Sequence, residues 1–275
     1  MTGFVWTPGA AQRIEVGGVG LEAVCHGASP QVAPTLVLLH EGLGCAALWR
    51  DFPRKLAEAT GFGVFAWSRA GYGASDAIEL PRPLDYMTRE ARDAAPLVLD
   101  AMGFRRGILL GHSDGASIAA IYAGSVEDFR VRGLILMAPH VFTEPMGLAA
   151  IAQAREAYRT SDLRARLAKY HTHVDAAFRG WNDAWLDPGF ERWNIAECID
   201  YWRIPALVIQ GARDQYGTAR QVEEIASRSY APVDVEMLPD CGHSPHLEQP
   251  ERTIEAIAEF CRRLERIERV APQAR

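Results

Sequence analysis

Cysteine is scarce and unpatterned in this chain: Cys25, Cys45, Cys198, Cys241 and Cys261 are widely scattered, with no C-x-x-C pair. An odd, dispersed set argues against a disulfide framework or a zinc site, so reduced and mostly buried thiols are expected. Long apolar runs are missing too, and none could span a bilayer. The stretch from Met1 to Pro8 has neither a basic region nor an apolar one. No targeting peptide is therefore expected, and a cytoplasmic location is. There is no basic stripe either: the net charge is −6, the pI is near 5.8, and arginines stand among acids in helical segments. Neither nucleic acid nor a membrane is an expected partner. No internal repeat or low-complexity stretch is evident.

What is present is an alternation. A length of 275 residues suits one large α/β domain with an inserted subdomain. Strands are predicted at Pro34–His40, Gly63–Trp67, Arg106–Leu110, Arg132–Met137, Pro205–Gln210 and Val233–Met237. Helices are predicted at Ala46–Ala59, Tyr86–Met102, Ser117–Ala123, about Thr218–Ser229 and about Pro250–Ile267. This rhythm implies a mostly parallel, doubly wound sheet with helices on both faces and ligands beyond the carboxyl ends of the strands. Between His140 and Tyr201 the rhythm stops, and Trp181, Trp185, Phe190, Trp193, Tyr201 and Trp202 cluster in helical patterns. We read residues 140–202 as a helical cap inserted in a core of residues 1–139 and 203–275.

The most informative stretch is Leu109-Leu110-Gly111-His112-Ser113-Asp114-Gly115-Ala116, a G-x-S-x-G between an apolar strand pattern and an apolar helix pattern. Glycines at 111 and 115 let strand and helix approach closely and hold Ser113 on a sharp turn with its hydroxyl exposed. A serine hydroxyl is a poor nucleophile at neutral pH. It needs a base, and the base needs a third group to fix its tautomer. Two strand-end loops offer these groups: Gly211-Ala212-Arg213-Asp214 and Pro239-Asp240-Cys241-Gly242-His243. Asp240 and Glu144 are rival acids, and His246 is the rival histidine. His171 and His173 lack a third ligand, so no metal is expected.

These motifs, together with His40-Glu41-Gly42-Leu43-Gly44 at the end of the predicted strand Pro34–His40, resemble the α/β-hydrolase fold superfamily from roughly Pro34 to Leu264, the cap excluded. The resemblance implies Ser113 as nucleophile, His243 as general base and then acid, and Asp214 as the orienting carboxylate. It implies an oxyanion hole from the amide of Asp114 and a second amide from Gly42 or Leu43. Glu41 stands where many relatives have glycine, an acid near the site and a candidate pocket residue with no role read from sequence. The loop Trp67 to Asp76 resembles the family's D-x-R-G-x-G-x-S turn without its first aspartate, and Arg69 is read as structural. For Asp114 a helix-capping carboxylate is preferred over one leaning toward substrate. Trp181 and Trp185 either line an apolar pocket or hold the cap to the core.

Serine at the elbow argues against haloalkane dehalogenase or epoxide hydrolase chemistry, which uses a carboxylate there. Ester hydrolysis on a small molecule, without cofactor or metal, is the leading expectation. Carbon–carbon hydrolysis of vinylogous diketone acids, an aminopeptidase using Glu144, Glu156, Asp162 or Asp183, and a non-catalytic receptor are the alternatives.

Overall fold

The computed structural model describes residues 4–270; Met1–Gly3, part of the stretch read for targeting, lie outside them. The chain opens with a hairpin, β1 (Ala11–Val16) and β2 (Val19–His26), turned at Gly17-Gly18 with both glycines at positive φ. It continues through β3 (Thr35–Leu39), α1 (Phe52–Thr60), β4 (Gly63–Trp67), α2 (Tyr86–Arg89), α3 (Ala95–Ala101), β5 (Gly107–His112), α4 (Asp114–Ser125) and β6 (Val131–Met137). An excursion carrying α5 (Pro145–Thr160), α6 (Leu163–Leu167) and α7 (Val174–Trp185) precedes β7 (Ala206–Gly211). Then come α8 (Ala219–Arg228), β8 (Val233–Leu238), α9 (Pro245–Glu248) and α10 (Pro250–Val270). The sheet order is β1-β2-β4-β3-β5-β6-β7-β8, antiparallel at β1–β2 and β2–β4 and parallel elsewhere.

The central strands read as unbroken apolar runs because both of their faces are covered. Val37, Leu39, Leu109, Leu134, Leu136 and Val208 point into one core with α3 and α4. Leu36, Leu38, Leu110, Ile135, Leu207 and Ile209 point into the other, under α1 and α10. Each such buried side chain contributes about 1.5–3 kcal/mol relative to exposure.

Two local expectations differ from what forms, and one hairpin forms where no strand is predicted. The helix expected over Ala46–Ala59 is split: a 3-10 turn at Ala46–Trp49 ends at Arg50 with φ 53°, and α1 restarts at Phe52 with Pro53 in its first turn, where a missing N–H costs nothing. The helix over Tyr86–Met102 contains a π turn at Glu90–Ala94. Pro96 accounts for it, since proline cannot donate to the carbonyl of Arg92 and its ring crowds that group. The N-terminal hairpin had a signal that went unread, namely two glycines between alternating segments.

The sheet also sets where chemistry can occur. From β3 the chain crosses to β4 on one side, and β5 lies on the other, so the loops after β3 and β5 meet at a topological switch point. Contact there is very close. A Cβ on Gly115 would lie 2.0 Å from the carbonyl oxygen of Leu39, and one on Gly111 would lie 2.2 Å from that of Gly115. Gly115→Ala is thus expected to destabilise the fold by about 3 kcal/mol or more, because backbone cannot yield as a side chain does. A urea midpoint equal to that of the parent would refute this.

Among the described residues the excursion has a single isolated bridge, Phe142 to Asn194, and otherwise helices and turns. Its aromatic cluster divides. Trp181, Trp185, Phe190 and Trp202 are buried, whereas Tyr201 is 56% exposed. Trp202 donates its indole N–H to the carbonyl of Ala120 at 3.0 Å and so packs on α4. No helix among the described residues is long and apolar enough to cross a membrane. The five cysteines are free, four of them buried.

Candidate active site

Strand β5 delivers Ser113 onto the turn into α4 with φ 53° and ψ −120°. A non-glycine residue in that region is strained and persists only where its surroundings over-determine it. Here the Ser113 N–H bonds the carbonyl of Met137 at 2.9 Å, and the two glycines leave no slack.

The ends of β7 and β8 bring Asp214 and His243 together. Ala212 N–H bonds the Leu238 carbonyl and Arg213 N–H bonds that of Cys241, both at 2.9 Å, so pairing continues past the strands. His243 Nδ1 lies 2.8 and 3.0 Å from the two oxygens of Asp214. Asp214 also accepts from Gln210 Nε2 at 3.0 Å and from the Tyr216 N–H at 2.8 Å. Burial would push this carboxyl up, but the hydrogen bond and charge of His243, the Tyr216 amide and the field of His140 outweigh it and hold the group at about 2. An ionised Asp214 requires a hydrogen on Nδ1, which leaves Nε2 as the basic nitrogen. Among the described residues the His243 ring is hydrogen-bonded to Asp214 alone, and no hydrogen bond joins it to the Ser113 hydroxyl. The ring of His112, the residue before Ser113, is 5.1 Å from that of His243.

The rivals are otherwise engaged. Asp240 pairs with Arg213 at 2.5 Å on the surface. Glu144 accepts from Thr218 and Gln221. His246 packs against Trp49, with ring centroids 4.9 Å apart. His171 bridges two loops, accepting from the Gly73 N–H and donating to the Leu43 carbonyl, both at 3.0 Å. No metal-binding group of His, Cys, Asp or Glu occurs among the described residues.

The loop after β3 is braced by Arg69, whose buried guanidinium donates to the carbonyls of His40 at 2.5 Å and Glu41 at 3.1 Å. A Cβ on Gly42 would lie 2.1 Å from Trp181 Nε1, so the indole rests directly on this glycine. The Asp114 N–H is at the first residue of α4, where helix geometry provides no acceptor.

The carboxylate of Asp114 does not cap the helix, contrary to the expectation. It accepts from Tyr86 Oη and, at 3.2 Å, from Trp185 Nε1. The two donors arrive from α2 and α7, neither visible as a partner from sequence, and they satisfy an acid whose pKa burial nonetheless keeps above its ordinary value. Glu41 faces His112 Nδ1 at 3.5 Å. Tyr86 and Gln210 escaped the sequence reading; Gln210, a polar residue ending an apolar strand, carried a signal, and Tyr86 carried none.

The site is rich in buried neutral histidine. Burial pushes His140 and His246 down to about 3 and lowers His40 and His171 as well. In an unfolded chain each titrates near its ordinary 6.5. Below that pH the unfolded state binds more protons than the folded one, so stability is complete above about 6.5 and falls on acidification. His140 and His246 alone should cost about 3 kcal/mol per pH unit between about pH 5.5 and 4.5. A urea midpoint that stays flat across that range would refute this.

Comparison with known proteins places these features. Human serine hydrolase BPHL is 24% identical over 193 residues, 68% of this chain and 65% of its own length. Mouse epoxide hydrolase 4 is 29% identical over 137 residues, 48% of this chain and 36% of that protein. The chain thus spans less than two thirds of the length of these curated relatives. The structure of 2-hydroxy-6-oxo-6-phenylhexa-2,4-dienoate hydrolase from a Rhodococcus species superposes with a TM-score of 0.77 at 18% identity, covering 92% of this chain and 98% of that one. A model of the alpha/beta hydrolase family matches residues 36–256, which include every loop of the site, and to that family the chain belongs.

Proposed function

We propose that the protein hydrolyses carboxylic esters through an acyl-enzyme on Ser113, with His243 and Asp214 completing the triad and residues 140–202 roofing the site as a cap. The observation that carries this reading is the strained Ser113 turn beside a hydrogen-bonded Asp214–His243 pair. Ser113 Oγ attacks the ester carbonyl while His243 Nε2 takes its proton. The oxyanion forms against the Asp114 N–H and an amide of Gly42 or Leu43. His243 then protonates the departing alcohol, and a water activated by the same nitrogen releases the acid.

Serine in this position forms an acyl ester, which separates the reading from the chemistry named for epoxide hydrolase 4. The aminopeptidase alternative needs free acids over the site. Glu156, Asp162 and Asp183 are instead surface partners of Arg159, Arg166 and Arg155. Carbon–carbon hydrolysis of a vinylogous diketone acid, the kind of compound in the name of the Rhodococcus enzyme, would use the same nucleophile and is separated by experiment.

The test is a series of p-nitrophenyl esters of increasing acyl length together with fluorophosphonate labelling. Turnover with labelling of Ser113 is expected. Labelling with no ester turnover would overturn the ester reading and leave the nucleophile in place.

A further inference from the structure

Glu41 has no place in the triad, yet its loop is shaped around its carboxylate. A Cβ on Gly44 would lie 2.4 Å from Glu41 Oε2 and 2.7 Å from its Cδ, so the side chain, folded back over its own turn, occupies the space that the missing Cβ leaves. The turn is closed by the Gly44 N–H on the Glu41 carbonyl at 3.1 Å, and Arg69 holds the same carbonyl. The folded-back carboxylate faces His112 Nδ1 at 3.5 Å. That nitrogen is buried and has no nearer polar partner among the described residues. On the other edge of the ring, His112 Nε2 is 2.7 Å from the backbone carbonyl of His243. A carbonyl oxygen only accepts, so Nε2 carries hydrogen, and an attractive contact between Nδ1 and the Glu41 carboxyl requires one further hydrogen on either partner.

We propose that Glu41 is a positioning residue: through His112 it holds the backbone of His243, and so the imidazole that Ser113 requires as base. The proposal rests on the Ser113–Asp214–His243 reading above. His243 stands on an irregular loop between β8 and α9, and its ring is tied at Nδ1 to Asp214. One anchor leaves the ring free to pivot. The bond to the His243 carbonyl acts at the backbone of the residue itself, adding to those the Glu248 carboxylate accepts from the flanking Gly242 and Ser244 N–H groups at 2.7 and 2.9 Å, and sets the direction of Nε2. The His112 ring can serve as that anchor only in one flip state and with hydrogen on Nε2, and the carboxylate beside Nδ1 selects that state. Alanine at 41 leaves Nδ1 orphaned and the ring free to reverse. Glutamine can still offer an N–H to Nδ1 and preserve hydrogen on Nε2.

Glu41→Ala and Glu41→Gln are compared with the parent by ester kinetics, by the rate of fluorophosphonate labelling at Ser113, and by the imidazole nitrogen resonances of His112 and His243. In Glu41→Ala, kcat and labelling should fall about 10²-fold while KM moves less than about threefold. Glu41→Gln should recover about tenfold of that loss, and the resonances of both histidines should shift in the alanine variant. Retention of kcat within about threefold in Glu41→Ala, or a loss carried by KM, would overturn the proposal. If the parent neither turns over esters nor labels, the triad reading fails. The resonances then still decide the pairing, and unmoved His112 and His243 signals in Glu41→Ala would overturn it.

Discussion

Replacing Ser113 with alanine is expected to lower p-nitrophenyl ester turnover by about 10⁴- to 10⁶-fold and to abolish the fluorophosphonate adduct. The size of the loss follows from what remains. Without the hydroxyl no acyl-enzyme forms, and the residual rate comes from binding and from the amides around the oxyanion alone. The fold should not suffer in proportion. Alanine keeps the same positive φ, the Ser113 N–H bond to Met137 is unaffected, and the side chain is nearly isosteric. The informative pair of measurements is therefore turnover and thermal midpoint on the same preparation. A variant that retains more than about one part in a hundred of its turnover would remove Ser113 from the mechanism.

Asp214→Asn should be nearly as damaging, at about 10⁴-fold in kcat at neutral pH. The carboxylate accepts from three donors, His243 Nδ1, Gln210 Nε2 and the Tyr216 N–H. An amide offers one acceptor atom and turns an N–H toward one of those donors. If the N–H faces His243, Nδ1 must surrender its hydrogen and Nε2 must take it, which leaves the nitrogen proposed to take the serine proton unable to act as a base. Asp240→Asn is the control: its carboxylate is paired with Arg213 in solvent and should leave kcat unchanged within about twofold. Equal losses at the two positions would show that the orienting acid is not Asp214.

Much of this architecture was legible because the signals were local. β3, β5 and β7 are buried on both faces, so their apolar runs stand out, and the glycines of the Ser113 turn mark a close backbone approach that no other residue permits. The strand-end loops at Asp214 and His243 followed from the alternation itself. What stayed hidden depends on contacts between distant positions. The carboxylate of Asp114 was read as a cap because helix-start acids usually are, and its true donors lie 28 and 71 residues away. Glu41 had no readable role because its partner, His112, is brought beside it only when β3 and β5 pair. The π turn before Pro96 was missed for a different reason. Periodicity detects a helix there but not the extra residue by which the chain steps around a missing N–H.

The Asp114 linkage bears on how a substrate reaches the serine. Trp185 belongs to α7 and Asp114 begins α4, so the carboxylate of the residue that follows Ser113 fastens the excursion to the start of α4. Trp181, one helical turn earlier, rests on Gly42. Lifting α7 as a rigid hinge would pull on both sides of the reaction centre at once. On the proposed reading, traffic through the site would be mechanically coupled to its readiness, whereas entry by side-chain rearrangement around the two indoles would leave the Ser113 turn undisturbed.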